Sequence, residues 1–228
     1  MNIYNWRSEL KFDVSTYNYD QILLSLKTHP LIFREHFQKR HVNNIYFDKF
    51  NYQFFKDNVD GISERLKTRI RWYGDTFTTI AKPKLELKIK NRDLGRKEIY
   101  DIKKFILKKN SSKNEVYKFI TENTFLNLKV KKILLKTTPV LVNSYNRRYF
   151  VSACRKFRIT FDTNLVFYDF SNINFIKHHT NAKILEIKFH KDEFVNFQNL
   201  TQHFPFRINK SSKYVTGVNL LKTKPKIY

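Results

Sequence analysis

The sequence predicts a mainly antiparallel β fold with helices packed outside it, an α+β arrangement dominated by strands. Three stretches carry this expectation. From Glu64 to Tyr73 the cations Arg65, Lys67, Arg69 and Arg71 fall at every second position, with Leu66, Thr68, Ile70 and Trp72 between them. Successive side chains of a strand point to opposite faces, so four cations line one face and mostly apolar groups the other. A helix would scatter the same charges around its axis. The stretch 85–90 sets Glu86, Lys88 and Lys90 against Leu85, Leu87 and Ile89, and 184–189 sets Glu186 and Lys188 against Leu185, Ile187 and Phe189.

The elements follow in order. A first strand runs over 7–14, with Arg7, Glu9 and Lys11 on one face and Leu10 and Phe12 on the other. Ser15 or Thr16 is predicted to cap a helix in which Tyr19, Ile22, Leu23 and Leu26 recur, with Pro30 beyond it. A segment rich in Phe and His leads to a strand-like run over 42–48, and 50–58 reads as a short irregular connection. Gly61 precedes the charged strand, and Gly74-Asp75 marks a turn after it. The strands at 64–73 and 85–90 are expected to form a hairpin with a long loop. From Ile99 the period changes. Ile102, Phe105 and Ile106 suggest one helix and Val116, Phe119 and Ile120 another, with Asn110-Ser111-Ser112 between them. A third helical piece over 126–135 stops at Thr137-Thr138-Pro139. Strands resume at 140–149, which carries Tyr145, Arg147 and Arg148, and at 156–162. There Arg158, Thr160 and Asp162 oppose Phe157, Ile159 and Phe161. After 184–189 comes helical character over 191–200, then Ser211-Ser212-Lys213-Tyr214 and a basic tail.

A chain of 228 residues, 41% hydrophobic and 16% aromatic, suffices for one packed domain over 1–228. Only 4 Gly and 5 Pro argue against long linkers. Lys and Arg number 44 against 20 Asp and Glu, a formal charge of +24. Such an excess calls for phosphate-rich ligands, nucleic acid or an anionic membrane surface. The single cysteine, Cys154, excludes an intrachain disulfide and a cysteine metal cluster, and reads as buried or incidental. The seven His, His178-His179 among them, lack zinc spacing and are assigned to surface or loops. The N-terminus lacks the apolar run of a signal peptide, and no stretch approaches about 18 apolar residues. A soluble, cytoplasmic chain without a transmembrane segment is expected.

Charged strand faces usually meet water. Here their regularity raises an alternative, a closed antiparallel barrel with apolar residues outward under helices and charges inward around an anion, metal ions and water. Glu-x-Lys recurs at the centres of three strands: Glu9-Leu10-Lys11, Glu86-Leu87-Lys88 and Glu186-Ile187-Lys188. One copy is ordinary salt-bridge pairing. Three copies beside the 65–71 run suit a phosphate site in which carboxylates hold Mg²⁺ or Mn²⁺ and the cations bind phosphate oxygens. There is no glycine-rich phosphate loop, so a P-loop mechanism is disfavoured.

In order, Arg7-x-Glu9-x-Lys11, Ile45-Tyr46-Phe47-Asp48, Arg65-x-Lys67-x-Arg69-x-Arg71-Trp72-Tyr73, Leu85-Glu86-Leu87-Lys88, Tyr145-x-Arg147, Arg158-x-Thr160-x-Asp162, Leu185-Glu186-Ile187-Lys188 and Ser212-Lys213-Tyr214 resemble the VTC domain. This is the catalytic domain of the vacuolar transporter chaperone polyphosphate polymerases, a branch of the CYTH-like triphosphate tunnel metalloenzymes. The resemblance spans about Arg7 to Tyr214. It implies an eight-stranded closed barrel whose basic bore moves the γ-phosphoryl group of ATP onto a growing polyphosphate chain, releasing ADP. It makes Lys11, Arg69, Arg71, Lys88, Arg147, Arg158, Lys188 and Lys213 phosphate ligands, with Glu186 on the Mn²⁺ or Mg²⁺ ion and Glu9 and Glu86 as weaker metal candidates. Arg65, Lys67 and Tyr145 join the substrate wall, and Lys97 also reaches phosphate. Lys90 stands where polymerase members differ. No lipid-phosphate-binding SPX domain or transmembrane segment accompanies the barrel in this sequence.

Two other functions compete. A hydrolase of inorganic or nucleoside triphosphate could use the same fold. A non-catalytic module for polyphosphate or nucleic acid would suit the charge and aromatics. Its carboxylates at strand centres would repel a phosphate backbone unless they hold metal, which disfavours nucleic acid.

Overall fold

The computed structural model describes residues 7–92, 94–122, 126–170, 177–190, 192–193 and 200–222. Its elements are β1 (Arg7–Asp13), α1 (Tyr19–Lys27), β2 (Arg34–Asp48), α2 (Gln53–Val59), β3 (Glu64–Tyr73), β4 (Thr79–Ile80), β5 (Lys84–Asn91) and β6 (Leu94–Asp101). They continue with β7 (Phe105–Ile106), α3 (Lys113–Thr121), α4 (Leu128–Leu134), β8 (Thr138–Val151), β9 (Arg158–Asp169), β10 (Lys177–Thr180), β11 (Ile184–His190) and α5 (Lys213–Lys222).

Nine strands form one antiparallel sheet in the order β10-β9-β11-β1-β6-β5-β3-β2-β8, and β8 also pairs with β9. Long ladders such as Val42↔Tyr73 to Phe47↔Thr68 curl the sheet around its charged face. The β1–β6 seam is different. Among the described residues it consists of the pair Arg7↔Gly95, while β1 pairs with β11 along its whole length. The sheet is therefore open along most of that seam. Of the expected eight-stranded closed barrel, the pairing shows the succession β9-β11-β1-β6-β5-β3-β2-β8 with β8 returning to β9, but not a continuous ladder between β1 and β6.

The alternation read from the sequence sorts the two faces. Outward residues Ile45, Phe47, Ile70, Trp72, Leu85 and Leu87 form one buried cluster with Val116 and Ile120 of α3 and Val130 and Leu134 of α4. Phe12, Ile159, Phe161, Leu185, Ile187 and Phe189 form a second with Ile22 and Leu26 of α1 and with Leu200, Phe204 and Phe206. Each such side chain contributes roughly 1.5–3 kcal/mol on burial. α5 packs on the inward side. An added Cβ at Gly217 would lie 2.7 Å from Phe167 and 2.8 Å from Leu141, so the helix approaches the sheet more closely than any side chain allows. Tyr214 of α5 stacks on Tyr46, with ring centroids 5.2 Å apart.

Several elements depart from expectation. α1 is capped by Asn18 in a capping box with Gln21, not by Ser15 or Thr16. The 50–58 connection contains α2. Its first-turn amides of Phe54 and Phe55 donate to the carboxylate of Asp48, so the cap comes from the preceding strand rather than from the residue before the helix. The helix expected around 102–106 is absent. β6 and β7 occupy that region, and both faces of β6 carry charge, which hides its period of two. His178 and His179, assigned to surface or loops, lie in β10, with His179 exposed. α5 was not anticipated. Most of the stretch 191–200, where helical character is expected, and the basic tail beyond 222 lie outside the described residues. Cys154 is exposed. Among the described residues, no helix is long and apolar enough to cross a membrane.

Candidate active site

The inward face of the sheet encloses a cavity of about 490 Å³. Lys67, Arg69 and Arg71 reach it from β3, Lys88 from β5, and Arg96 and Lys97 from β6. Glu9 and Lys11 come from β1, Arg147 from β8, and Glu186 and Lys188 from β11. Ser212, Lys213 and Tyr214 close one end from the start of α5. The alternation at 65–71 thus delivers three of its four cations to one space.

The arginines are held from behind. Arg69 donates through Nε and Nη2 to one oxygen of Glu86, at 2.8 and 2.6 Å. Lys97 donates to the other oxygen at 3.1 Å, and Arg71 Nη1 lies 3.8 Å from the carboxylate. Burial alone would raise the Glu86 carboxyl, but Arg69, Arg71 and Lys97 hold it far below the ordinary range. Arg71 Nε donates to Asn44 Oδ1 at 2.9 Å, and its Nη2 donates to the Tyr145 hydroxyl at 3.1 Å. Asn44 is itself fixed by Asn143 at 2.8 Å. Arg147 makes a two-pronged contact with Asp162, at 2.6 and 2.7 Å, and Lys213 Nζ lies 2.6 Å from the same carboxylate. Against the effect of burial, those two cations lower Asp162 to about 2. Tyr145 sits beneath them, with the Arg147 guanidinium 5.2 Å and the Lys213 ammonium 4.8 Å from its ring centroid. Burial would push its phenol up. Arg147 and Arg71 outweigh that and bring it down to about 8.

The β1–β11 wall is built differently. Glu9 faces Lys188 and Lys11 faces Glu186 across the antiparallel pair, which sets two carboxylates and two ammoniums in alternation. Glu9 accepts from Lys88 at 2.5 Å, and Glu186 lies 3.1 Å from Lys188. Burial would raise Glu186, yet Lys188, Lys11 and Lys88 draw it well below the ordinary range. Lys11 donates to the Ser211 carbonyl at 2.8 Å and Lys67 to the Ser212 hydroxyl at 2.9 Å. Burial first, then neighbouring cations, brings Lys11 down to about 8 and Lys67 well below its ordinary value.

Of the residues singled out in the sequence, Glu9, Lys11, Lys67, Arg69, Arg71, Lys88, Lys97, Tyr145, Arg147, Glu186, Lys188 and Lys213 line the cavity. Glu86 lies just behind it, bound to Arg69 and Lys97. Arg65 and Lys90 pair with each other across β3 and β5 and fall outside the lining, and Arg158 is exposed at the start of β9. Sequence reasoning gave no role to Asp162, Asn44 or Ser212. The first two carried a visible signal, a polar residue in an otherwise apolar or alternating strand. Ser212 carried none beyond its place beside Lys213.

Glu9 and Glu186 suit a hard divalent cation. They are two oxygen donors facing one space: burial and Glu186 push the Glu9 carboxyl up, but Lys88, Lys188 and Lys11 outweigh them and hold it below the ordinary range, as they do Glu186. Among the described residues no three of His, Cys, Asp and Glu converge. Further ligands would therefore come from water and substrate phosphate, as Mg²⁺ prefers.

Known proteins resemble this chain in family and fold. The model of the VTC domain family matches residues 6–222. No curated protein sequence matches the chain. Among solved structures, an adenylate cyclase candidate from Vibrio parahaemolyticus is similar at 13% identity, covering 93% of this chain and 98% of its own, with a TM-score of 0.53. A protein from Hippeastrum, described as an adenylyl cyclase candidate with a dominant triphosphatase activity, has 13% identity over 94% of this chain and 95% of its own, with a TM-score of 0.51. A Pyrococcus horikoshii protein has 16% identity over 95% and 99%, with a TM-score of 0.50. At these identities the likeness is one of fold.

Proposed function

Since the chain belongs to the VTC domain family, we propose that it is a metal-dependent polyphosphate polymerase, transferring the γ-phosphoryl group of ATP to a growing polyphosphate chain and releasing ADP. The observation that carries this reading is one cavity in which locked arginines and two adjacent carboxylates face the same space. Family membership supports the coarser statement, an enzyme acting on triphosphates.

In this reading Arg69, Arg71 and Arg147 grip phosphate oxygens, as rigid forks suit. Their acceptors, Glu86, Asn44 and Asp162, fix each guanidinium before substrate arrives, so little reorganisation remains at the transition state. Lys11, Lys67, Lys88, Lys188 and Lys213 add charge around the transferring group. Glu186 and Glu9 would hold Mn²⁺ or Mg²⁺, which supplies neutralisation of phosphate charge when bound. Glu86 is engaged by three cations and acts here as a positioning residue for the arginines.

Incubation with ATP and Mn²⁺, followed by product analysis, tests the proposal. Long-chain polyphosphate with ADP is expected. Orthophosphate as the sole phosphate product would instead assign the chain to triphosphate hydrolysis, the activity in the description of the Hippeastrum protein.

A further inference from the structure

The cavity accounts for only part of the charge. Residues 102–136 carry ten lysines against two acids, Glu115 and Glu122, and no arginine. The described residues of this stretch form a layer outside the sheet, made by β7, α3 and α4. Phe105 of β7 stacks on Phe119 of α3, with centroids 4.7 Å apart, and the Tyr117 hydroxyl donates to the Leu135 carbonyl at 3.4 Å. The layer's inner side is spent on the core through Val116, Ile120, Val130 and Leu134. Its outer side presents Lys104, Lys108, Lys109, Lys132 and Lys136, all exposed and none in an ion pair among the described residues. Between these lysines stand three aliphatic side chains with no core to fill: Ile106 is 59% exposed, Leu128 76% and Leu135 62%.

We propose that this face docks the chain on an anionic lipid surface, on which it lies without crossing. Three features choose lipid over other polyanions. Aliphatic side chains among lysines gain from entering an acyl boundary and gain nothing from a nucleic-acid backbone. The face offers lysine only, a flexible point charge suited to a fluid anionic surface, and lacks the arginine forks that read phosphates in fixed geometry. Among the described residues of the face, Phe105 and Phe119 stack on each other against the core and Tyr117 is half-buried with its hydroxyl on the Leu135 carbonyl, so none of these rings is a fully exposed platform for bases. The site is separate from the cavity and independent of what the cavity does.

The test is co-sedimentation of the full chain with phosphatidylcholine vesicles, with and without about 30% phosphatidylserine, near physiological salt. Binding to the anionic vesicles only is expected. The triple variant Lys104→Glu/Lys108→Glu/Lys109→Glu should lose about a hundredfold in affinity, at roughly fivefold per lysine. Leu128→Ser/Leu135→Ser should lose about tenfold at unchanged charge, which pure electrostatics does not produce. A charge-matched control, Lys27→Glu/Lys39→Glu/Lys56→Glu, alters exposed lysines elsewhere and should lose far less. Equal losses in control and face variants would overturn the proposal, as would an unchanged Leu128→Ser/Leu135→Ser protein. Capture of single-stranded DNA through this face, with vesicles left unbound, would overturn it in favour of nucleic acid.

Discussion

Along β3, β5, β8 and β9 each inward arginine of the cavity has an acceptor behind it: Glu86 for Arg69, Asn44 for Arg71, Asp162 for Arg147. Along β1 and β11 the charges sit side by side instead, and Lys11 rests on a neutral carbonyl of the α5 approach. The first wall is fixed before any ligand arrives. The second wall keeps Lys11, which burial brings down to about 8, beside two carboxylates that neighbouring ammoniums hold below the ordinary range. Rigid forks and adjustable charges thus occupy opposite sides of one space. In the proposed reading, binding geometry belongs to the first wall and metal holding to the second.

Removing the support of the rigid wall should have the largest effect. Asp162 is fully buried and holds two cations. Asp162→Asn leaves Arg147 and Lys213 buried without their counter-charge, an expected loss of about 3–5 kcal/mol in denaturant unfolding. Tripolyphosphate should restore part of it by supplying the missing negative charge. A variant within about 0.5 kcal/mol of the parent would mean that the arginine is not held from behind.

On the other wall, Glu186→Gln removes one charge and keeps the shape. Turnover is expected to fall about a hundredfold or more, while tripolyphosphate binding without metal persists or tightens. Glu86→Gln should show the reverse pattern, with binding lost first because Arg69 and Lys97 lose their anchor. Identical kinetic signatures for the two variants would erase the division between walls.

Tyr145 gives a smaller, pH-dependent test. Its phenol falls to about 8 because Arg147 and Arg71 outweigh burial. Below that pH it is neutral; above it, a phenolate adds negative charge beside the phosphate ligands. Metal-free triphosphate affinity should therefore fall severalfold more steeply between pH 7 and 9 in the parent than in Tyr145→Phe. Parallel profiles by titration calorimetry would show that Tyr145 does not titrate in this window.

The inward face was legible because strand alternation is exact over 65–71, 86–90 and 186–188, and a period of two survives any tertiary context. What sequence could not show is pairing. Nothing local places Asp162 behind Arg147 or Asn44 behind Arg71, since these contacts depend on strand register. β6 escaped because Arg96 and Lys97 put charge on both of its faces. α2 escaped because its amides are capped by Asp48, at the end of the preceding strand. The β1–β6 seam turns on one residue pair, which no pattern in either strand announces.

Arg158 carries the smallest expected effect and divides the sequence reading from the structure most directly. The VTC resemblance groups it with Arg147 as a phosphate ligand. In the fold it faces Lys188 across β9 and β11, but it is exposed and outside the cavity lining. A charge so placed acts on bound phosphate only through solvent, screened over about 8 Å at physiological salt. Arg158→Ala should therefore change triphosphate affinity by about twofold, and that change should vanish in high salt. Arg147→Ala, measured beside it, should lose far more and keep its loss in salt, because its contact is buried. An equal, salt-resistant loss in both variants would mean that bound substrate draws the start of β9 over the cavity and makes Arg158 part of the rigid wall.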